Sequence, residues 1–267
     1  MCERQHEIIT TLGVKPSIEP KEEIERRTRQ LADYLRENSK AGFVLGVSGG
    51  QDSLLVGLLA QRAAVLSRAE GYTAQFCAML LPYGDQSDRL DAELAINVIK
   101  PDRVIDFNIK PMVDAFATTY DSATMENLTD FHKGNAKARS RMVAQYALAG
   151  MHNMLVLGTD HAAEALVGFF TKFGDGAADV APISTLNKRQ GRQLLRYLGV
   201  PEVFTSKAPT ADLLDGTPSQ PDETELGLTY SSIDDYLEGK EMVDTIATVI
   251  ERKYDATAHK RENPVAF

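Results

Sequence analysis

Residues 44–55 read VLGVSGGQDSLL, with three glycines and two serines grouped around one acid, Asp52. Glycine leaves backbone amides uncovered, and a helix beginning near Asp52 would aim its positive end at the same point. Gly46, Val47, Ser48, Gly49, Gly50, Gln51, Asp52 and Ser53 therefore read as an anion site. The stretch fails the G-x-x-x-x-G-K-[ST] phosphate-loop pattern, because counting from Gly46 puts Gln51 and Asp52 where Gly and Lys are required. It also lacks the G-x-G-x-x-G dinucleotide spacing. A carboxylate beside a polyphosphate is repulsive unless a divalent cation lies between them, which makes Asp52 a candidate Mg²⁺ ligand bridging to nucleotide oxygens. The competing role is plainer: Asp52 caps the helix that follows.

The elements around this loop alternate. Apolar runs at 43–47, 74–81, 103–107 and 154–157 have the continuous character of buried parallel strands. Helical periodicity occupies 19–38, 54–68, 86–99, 130–150, 187–198 and 241–254, the fourth of these preceding the last strand. The pattern predicts an α/β fold: an open parallel sheet flanked by helices on both faces, with its site at the strand C-termini, where the loop lies. Between 201 and 228, Pro201, Pro209, Pro218 and Pro221 interrupt any regular pattern. So long an irregular segment within one domain spanning 1–267 is expected to be an active-site lid, with a tether as the alternative.

With 29 Lys+Arg against 38 Asp+Glu, the net charge of -9 opposes non-specific binding to nucleic acid or to an anionic membrane surface. Any anionic substrate must be met by locally placed cations. No run approaches the length of a membrane span and the N-terminal residues lack a signal-peptide pattern, so the expected location is cytoplasmic. Two cysteines in different contexts, Cys2 and Cys77, give no disulfide framework. Cys2 could serve as an N-terminal nucleophile of the glutaminase kind, but no activating site is evident and an ordinary residue is the expectation. His6, His132, His152 and His161 show no zinc-binding spacing.

Ser48 to Ser53 resembles the S-G-G-x-D-S loop of the ATP pyrophosphatase family, whose members cleave ATP between the α- and β-phosphates. Further segments, VLGTDHAAEALVGFFTKFGDGAADVAPISTLNKRQ at 156–190, KAPTADL at 207–213 and HKR at 259–261, resemble signatures of the ammonia-dependent NAD synthetases. The resemblance implies a Rossmann-like fold of the adenine nucleotide alpha hydrolase type. It implies a ligase that adenylates the nicotinate carboxylate of deamido-NAD, after which ammonia displaces AMP. It also implies Mg²⁺ on Asp52 and Glu164, with Thr159, Lys188 and Thr210 joining the loop around ATP. Arg139, Phe170, Lys172, Asp175, Asp179, His259 and Lys260 fall at the deamido-NAD site, with Asp175 and Lys188 in catalytic roles. A homodimer with helices from 112–150 at its interface is implied as well.

Each position also has a local reading. Thr159 and Asp160 follow a strand and can cap the next helix, leaving Glu164 one turn inside it as an ordinary solvated glutamate. Lys133, Lys137 and Arg141 repeat every four residues and read as a solvated stripe. Arg139 shares a face with Met142, Val143 and Tyr146 and so needs an anionic partner, either a buried carboxylate or a substrate phosphate. Lys172 precedes the turn-forming Gly174-Asp175-Gly176, which could present its ammonium to a cleft, although a surface lysine is the local expectation. Lys188 has Arg189, Arg192 and Arg196 for company, and a basic C-terminal run such as His259-Lys260-Arg261 is usually a free tail. Rival functions are another ATP pyrophosphatase that amidates or thiolates a different acceptor, such as a nucleotide or tRNA base, and a nucleotide-binding sensor without turnover.

Overall fold

The computed structural model describes residues 2–84, 88–210, 213–217 and 220–266; Gln86, the expected start of the third helix, and Ala211, Asp212 and Pro218 of the irregular segment lie outside these. Strands β1 (Gly42–Gly46), β2 (Gln75–Leu80), β3 (Arg103–Asp106) and β4 (Leu155–Val156) form a parallel sheet in the order β3-β2-β1-β4. Helices α1 (Glu3–Leu12) and α2 (Pro20–Glu37) precede β1, α3 (Gln51–Ala69) joins β1 to β2, and α4 (Arg89–Ile99) joins β2 to β3. Next, α5 (Lys110–Thr124) and α6 (Asp130–Met151) lead to β4. Beyond the sheet lie α7 (Ala162–Val167), α8 (Lys188–Tyr197), α9 (Glu202–Ser206), α10 (Asp222–Leu226), α11 (Tyr230–Leu237), α12 (Asp244–Ala256) and α13 (Ala258–Arg261).

Period-two alternation along β1 divides the core. Phe43 and Leu45 enter a layer with Leu31 and Leu35 of α2 and Leu54, Leu55 and Leu59 of α3. Val44 enters the opposite layer with Cys77, Met79, Val113 of α5 and Ala144 and Ala149 of α6. Both faces of the central strand are thus buried, which a parallel sheet requires. A third cluster, including Ile8, Leu166, Ile233, Tyr236 and Ile250, packs α1, α7, α11 and α12 together. The chain runs from β1 outward to β3 and then returns to the other side of β1 as β4. That reversal is the switch point where loops leaving the strand C-termini diverge and open a crevice.

Apolar periodicity does not mark α5, α9, α10 or α13, of which α9 and α10 fall inside the 201–228 segment, whereas α7 is the helix expected after the last strand. Cys2 caps α1, its Sγ accepting the Gln5 N–H at 3.4 Å, while Cys77 is buried in β2. Among the described residues no helix is long and apolar enough to cross a membrane.

Glu23 ties α2 to the segment that leads into α8. Its carboxylate pairs with Lys15 at 2.9 Å and Arg27 at 3.0 Å and also meets Arg26, while Arg27 bonds Pro182 O and Thr185 Oγ1. Burial alone would raise the Glu23 pKa, but the bonds from Arg26 and Lys15 and the charge of Arg27 bring it down to about 2. Glu23→Gln leaves the buried Arg27 uncompensated and should cost roughly 3 kcal/mol at pH 7 in urea unfolding. A group with a depressed native pKa adds stability above its ordinary value, here 4.5, and loses it as the pH falls to about 2. The gap between variant and parent should therefore close over that window; a gap independent of pH would refute the assignment.

Candidate active site

β1 ends at Gly46, whose N–H donates to Gln145 Oε1 of α6 at 2.7 Å. The chain then turns through Val47–Gly50 before α3 begins, and the two serine hydroxyls brace the turn: Ser48 N–H donates to Ser53 Oγ and Gly50 N–H to Ser48 Oγ, both at 3.3 Å. Gly49 has φ +83°, and a Cβ there would lie 2.6 Å from Ala92 N of α4, so only glycine fits. The first turn of α3 leaves its amides without intrahelical acceptors, directed at the crevice. All eight loop residues, 46–53, line a cleft of about 480 Å³, a size suited to a small-molecule substrate.

Asp52 does not cap α3. The N-cap is Gly50, and Asp52 lies inside the first turn with its carboxylate accepting from Lys188 Nζ at 2.6 Å. Lys188 opens α8 and is only 4% exposed. Its position is set from behind by Asp234, which accepts the Lys188 N–H at 3.0 Å and the Arg189 N–H at 2.8 Å. The ammonium also stands 5.1 Å over the Tyr230 ring and 3.4 Å from His161 Nε2. Arg189 instead pairs away from the cleft with Asp235 and Glu238.

The N-cap of α7 is His161, not Thr159 or Asp160: its Nδ1 accepts the Glu164 N–H at 3.4 Å, and Glu164 Oε2 accepts the His161 N–H at 3.2 Å. Glu164 is one turn inside the helix, as expected, but it faces the cleft rather than bulk solvent. Ligating atoms of Asp52, His161 and Glu164 lie within 4.8 Å of one another. Sequence reading missed His161 because, besides the nearby Glu164, its partners Asp52 and Lys188 are distant in the chain, and a histidine three residues before a glutamate is no usual capping signal.

Electrostatics at this cluster are unbalanced. The carboxyls open to the cleft yet are otherwise enclosed by protein, and this enclosure sets their acidity. Burial would raise Asp52, but the charge of Lys188 and its hydrogen bond hold Asp52 below the usual carboxylate range. Glu164 is pushed well up by burial and by Asp52, and Asp160 is pushed up to about 8 by burial, Asp175 and Asp52. Burial also raises Asp175, which accepts the Thr171 N–H at 2.9 Å, and lowers His161 to about 3, leaving it neutral. Carboxyls outnumber ammoniums, with Lys188 beside Asp52 and Glu164 and Lys260 near Asp175, so the excess acid must be neutralised by protons or by a cation. Asp52 and Glu164, with His161 beside them, form a group that could hold a cation, and their carboxylates are the hard donors that suit a divalent one.

The sequence profile of the NAD synthase family matches residues 23–264. The chain belongs to the NAD synthase family. The NH(3)-dependent NAD(+) synthetase of Bacillus licheniformis is 56% identical over 263 residues, covering 98% of this chain and 97% of its own. The corresponding protein of Bacillus subtilis is 55% identical with the same coverage. Among solved structures, NAD+ synthetase from Burkholderia pseudomallei is similar at a TM-score of 0.85 and 47% identity, covering 98% of this chain and 97% of that one. NMN synthetase from Francisella tularensis is similar at 0.82 and 36%, covering 94% and 99%.

Of the positions that resemblance to NAD synthases singles out, Thr159, Phe170, Asp175, Lys188, Thr210 and Lys260 line the same cleft as the loop. Arg139, Lys172, Asp179 and His259 are not among its lining residues. Arg139 is exposed and reaches Lys172 O at 3.3 Å, so the apolar face expected for it is not a buried one: Val143, one turn on, remains 49% exposed. Lys172 donates to His259 O and lies 5.3 Å over Phe173, and Asp179 accepts the Val156 N–H at 2.7 Å along the sheet edge. HKR is no free tail. Lys260 donates to Gly168 O at 2.8 Å and Phe170 O at 2.9 Å, and Arg261 to Ala165 O at 2.9 Å, docking α13 on the end of α7.

The expected solvated stripe on α6 also needs correction. Lys137 is 3% exposed, bonded to Asp215 Oδ1 at 2.5 Å and Leu213 O at 2.8 Å, while Lys133 meets the other Asp215 oxygen at 2.9 Å. Arg141 donates to Leu81 O at 3.0 Å and lines the cleft. The stripe is covered because residues of the irregular segment pack on it, with Asp130 accepting the Asp215 and Gly216 N–H groups at 2.9 Å each.

Proposed function

We propose that this cleft carries out both half-reactions of the family activity, the ATP-dependent amidation of deamido-NAD by ammonia to give NAD, AMP and pyrophosphate. The observation carrying the reading is that the S-G-G-Q-D-S loop, the Asp52–Lys188 pair and Asp175 open into one cleft. A carboxylate is a poor acyl donor because its oxygen would leave as a strong base. Attack of the nicotinate carboxylate on the α-phosphorus converts that oxygen into part of AMP, a weakly basic leaving group. As pyrophosphate departs, its charge is met by the loop amides and by Lys188. Mg²⁺, held by Asp52 and Glu164, would supply Lewis-acid stabilisation of the phosphate oxygens. Thr159 and Thr210 are placed to orient ATP.

In the second half-reaction ammonia must arrive unprotonated, since ammonium has no lone pair. Asp175, at the Phe170 side of the cleft, is the group assigned to accept that proton. Asp175→Asn should slow amidation about a hundredfold while leaving ATP–pyrophosphate exchange within severalfold of the parent; equal loss of both would remove Asp175 from this role.

Residues 201–228 border the cleft through Phe204, Lys207, Thr210, Leu214 and Asp222, and we assign to them, as part of one domain spanning the chain, the exclusion of water from the adenylate. Arg139, Lys172, Asp179 and His259 lie outside the cleft of one chain, which supports a homodimer whose partner completes the deamido-NAD site. Phe116 of α5 and Met125, Phe131 and Met151 on or beside α5 and α6 are large, exposed and apolar, as a pairing face requires. Sedimentation at micromolar concentration should give the mass of two chains, and a monomer there would refute the assembly. The reading places the enzyme in the cytoplasm with its soluble substrates.

Incubation with ATP, Mg²⁺, deamido-NAD and ammonium, followed by mass detection of NAD and AMP, tests the function. The likeness to an NMN synthetase makes a parallel assay with the mononucleotide acceptor informative: NMN in place of NAD would redirect the substrate assignment, and ADP as product would exclude the mechanism.

A further inference from the structure

The His161 imidazole stands at the centre of the site with no part in the reaction assigned to it above. It is 2% exposed, with Nε2 at 3.7 Å from Asp52 Oδ1, 3.6 Å from Glu164 Oε2 and 3.4 Å from Lys188 Nζ. Nδ1 accepts the Glu164 N–H, a donor fixed by the backbone at the start of α7. A neutral imidazole has one lone pair and one N–H, so Nδ1, as the acceptor, leaves the proton on Nε2. The Lys188 ammonium, 3.4 Å from Nε2, does not decide the tautomer, because its protons can rotate toward Asp52 and the Tyr230 ring whereas the Glu164 N–H is fixed by the backbone.

We propose that His161 is a positioning residue for the metal-binding carboxylates, held as the Nε2–H tautomer, aiming its proton between Asp52 and Glu164 and withholding its nitrogen lone pair from the ion. The inference rests on the Mg²⁺ reading of Asp52 and Glu164. Donors behind metal-binding groups orient them, and their loss typically weakens metal affinity ten- to a hundredfold. A blocked imidazole lone pair also leaves an all-oxygen protein donor set, which favours hard ions such as Mg²⁺ over zinc-like ones.

Mn²⁺ is the probe, added to the full-length protein and followed by electron paramagnetic resonance of the free ion. His161→Asn retains a side-chain acceptor for the Glu164 N–H, since asparagine is a good N-cap, and removes the Nε2 donor. It should bind Mn²⁺ about tenfold more weakly than the parent with its circular dichroism unchanged. Electron spin-echo modulation on the parent with bound Mn²⁺ should show no directly coordinated imidazole nitrogen, a result that does not depend on any variant folding. Unweakened Mn²⁺ binding by His161→Asn, or a coordinated nitrogen in the parent, overturns the proposal while leaving the metal site intact. Failure of the parent to bind Mn²⁺ in a manner lost in Asp52→Asn overturns the Mg²⁺ reading itself, a distinct outcome.

Discussion

Asp52→Asn should lower the rate of pyrophosphate release about a thousandfold at saturating ATP and Mg²⁺, while the protein stays folded. The size follows from the role: removing one charged ligand from the ion that stabilises a developing polyphosphate anion forfeits about 4 kcal/mol of transition-state stabilisation. Folding should weaken by about 3 kcal/mol without being lost, because the buried Lys188 loses its paired carboxylate but still faces Glu164, while the helix end is spared since Gly50, not Asp52, is the N-cap of α3. The variant gives up the favourable interaction of an acid with the N-terminal helix dipole, about 0.3–1 kcal/mol, and the charge partner of Lys188. Asparagine has nearly the same shape, so the change removes charge rather than bulk, and a rate measured on the folded variant reports the loss of that charge. Measured pyrophosphate release within tenfold of the parent would mean that no cation is coordinated by Asp52 during turnover.

Much of this site was legible because its determinants are local. Gly46, Gly49 and Gly50 next to an apolar run specify a strand, a turn and a helix within a dozen residues, and the alternation of Phe43, Val44 and Leu45 already assigns both sheet faces. Where partners come from afar, local periodicity misleads. Lys137 repeats with Lys133 and Arg141 like a solvated stripe, yet Asp215, remote in sequence, neutralises it in place, and the Tyr83 ring lies 4.4 Å from its ammonium. Arg139 errs the other way, since of its apolar neighbours Tyr146 packs on the core while Val143 and Arg139 itself remain exposed. His161 carries no sequence signal because its significance depends on β1 and β4 bringing residues 52, 161 and 188 together. The HKR run reads as a tail because the carbonyls that accept from Lys260 and Arg261, at 165, 168 and 170, belong to a six-residue helix that the apolar period does not resolve and to the turn that follows it.

Lys188→Met should be as severe as Asp52→Asn in catalysis, about a thousandfold, and worse for stability. Its ammonium is the positive partner of a buried pair 2.6 Å long, and removing it leaves Asp52 facing Glu164 without compensation. Breaking such a pair from one side typically costs 3–5 kcal/mol, whereas replacing both members is often nearly neutral. The combination Asp52→Asn with Lys188→Met therefore separates two ways in which the pair could matter. If both groups act on the same departing pyrophosphate, the double variant should lose little more rate than either single one, since residues acting as a unit are strongly non-additive. Its unfolding free energy in the absence of Mg²⁺ should meanwhile recover toward the parent relative to Lys188→Met alone. Additive rate losses near a millionfold would show that the two groups serve separate steps, with Lys188 meeting charge at a point the Asp52 ion does not reach. Recovery of stability without recovery of rate is the combination this geometry requires, because the pair holds the apoprotein together through its own charges and serves the reaction only when both charges are presented to ATP.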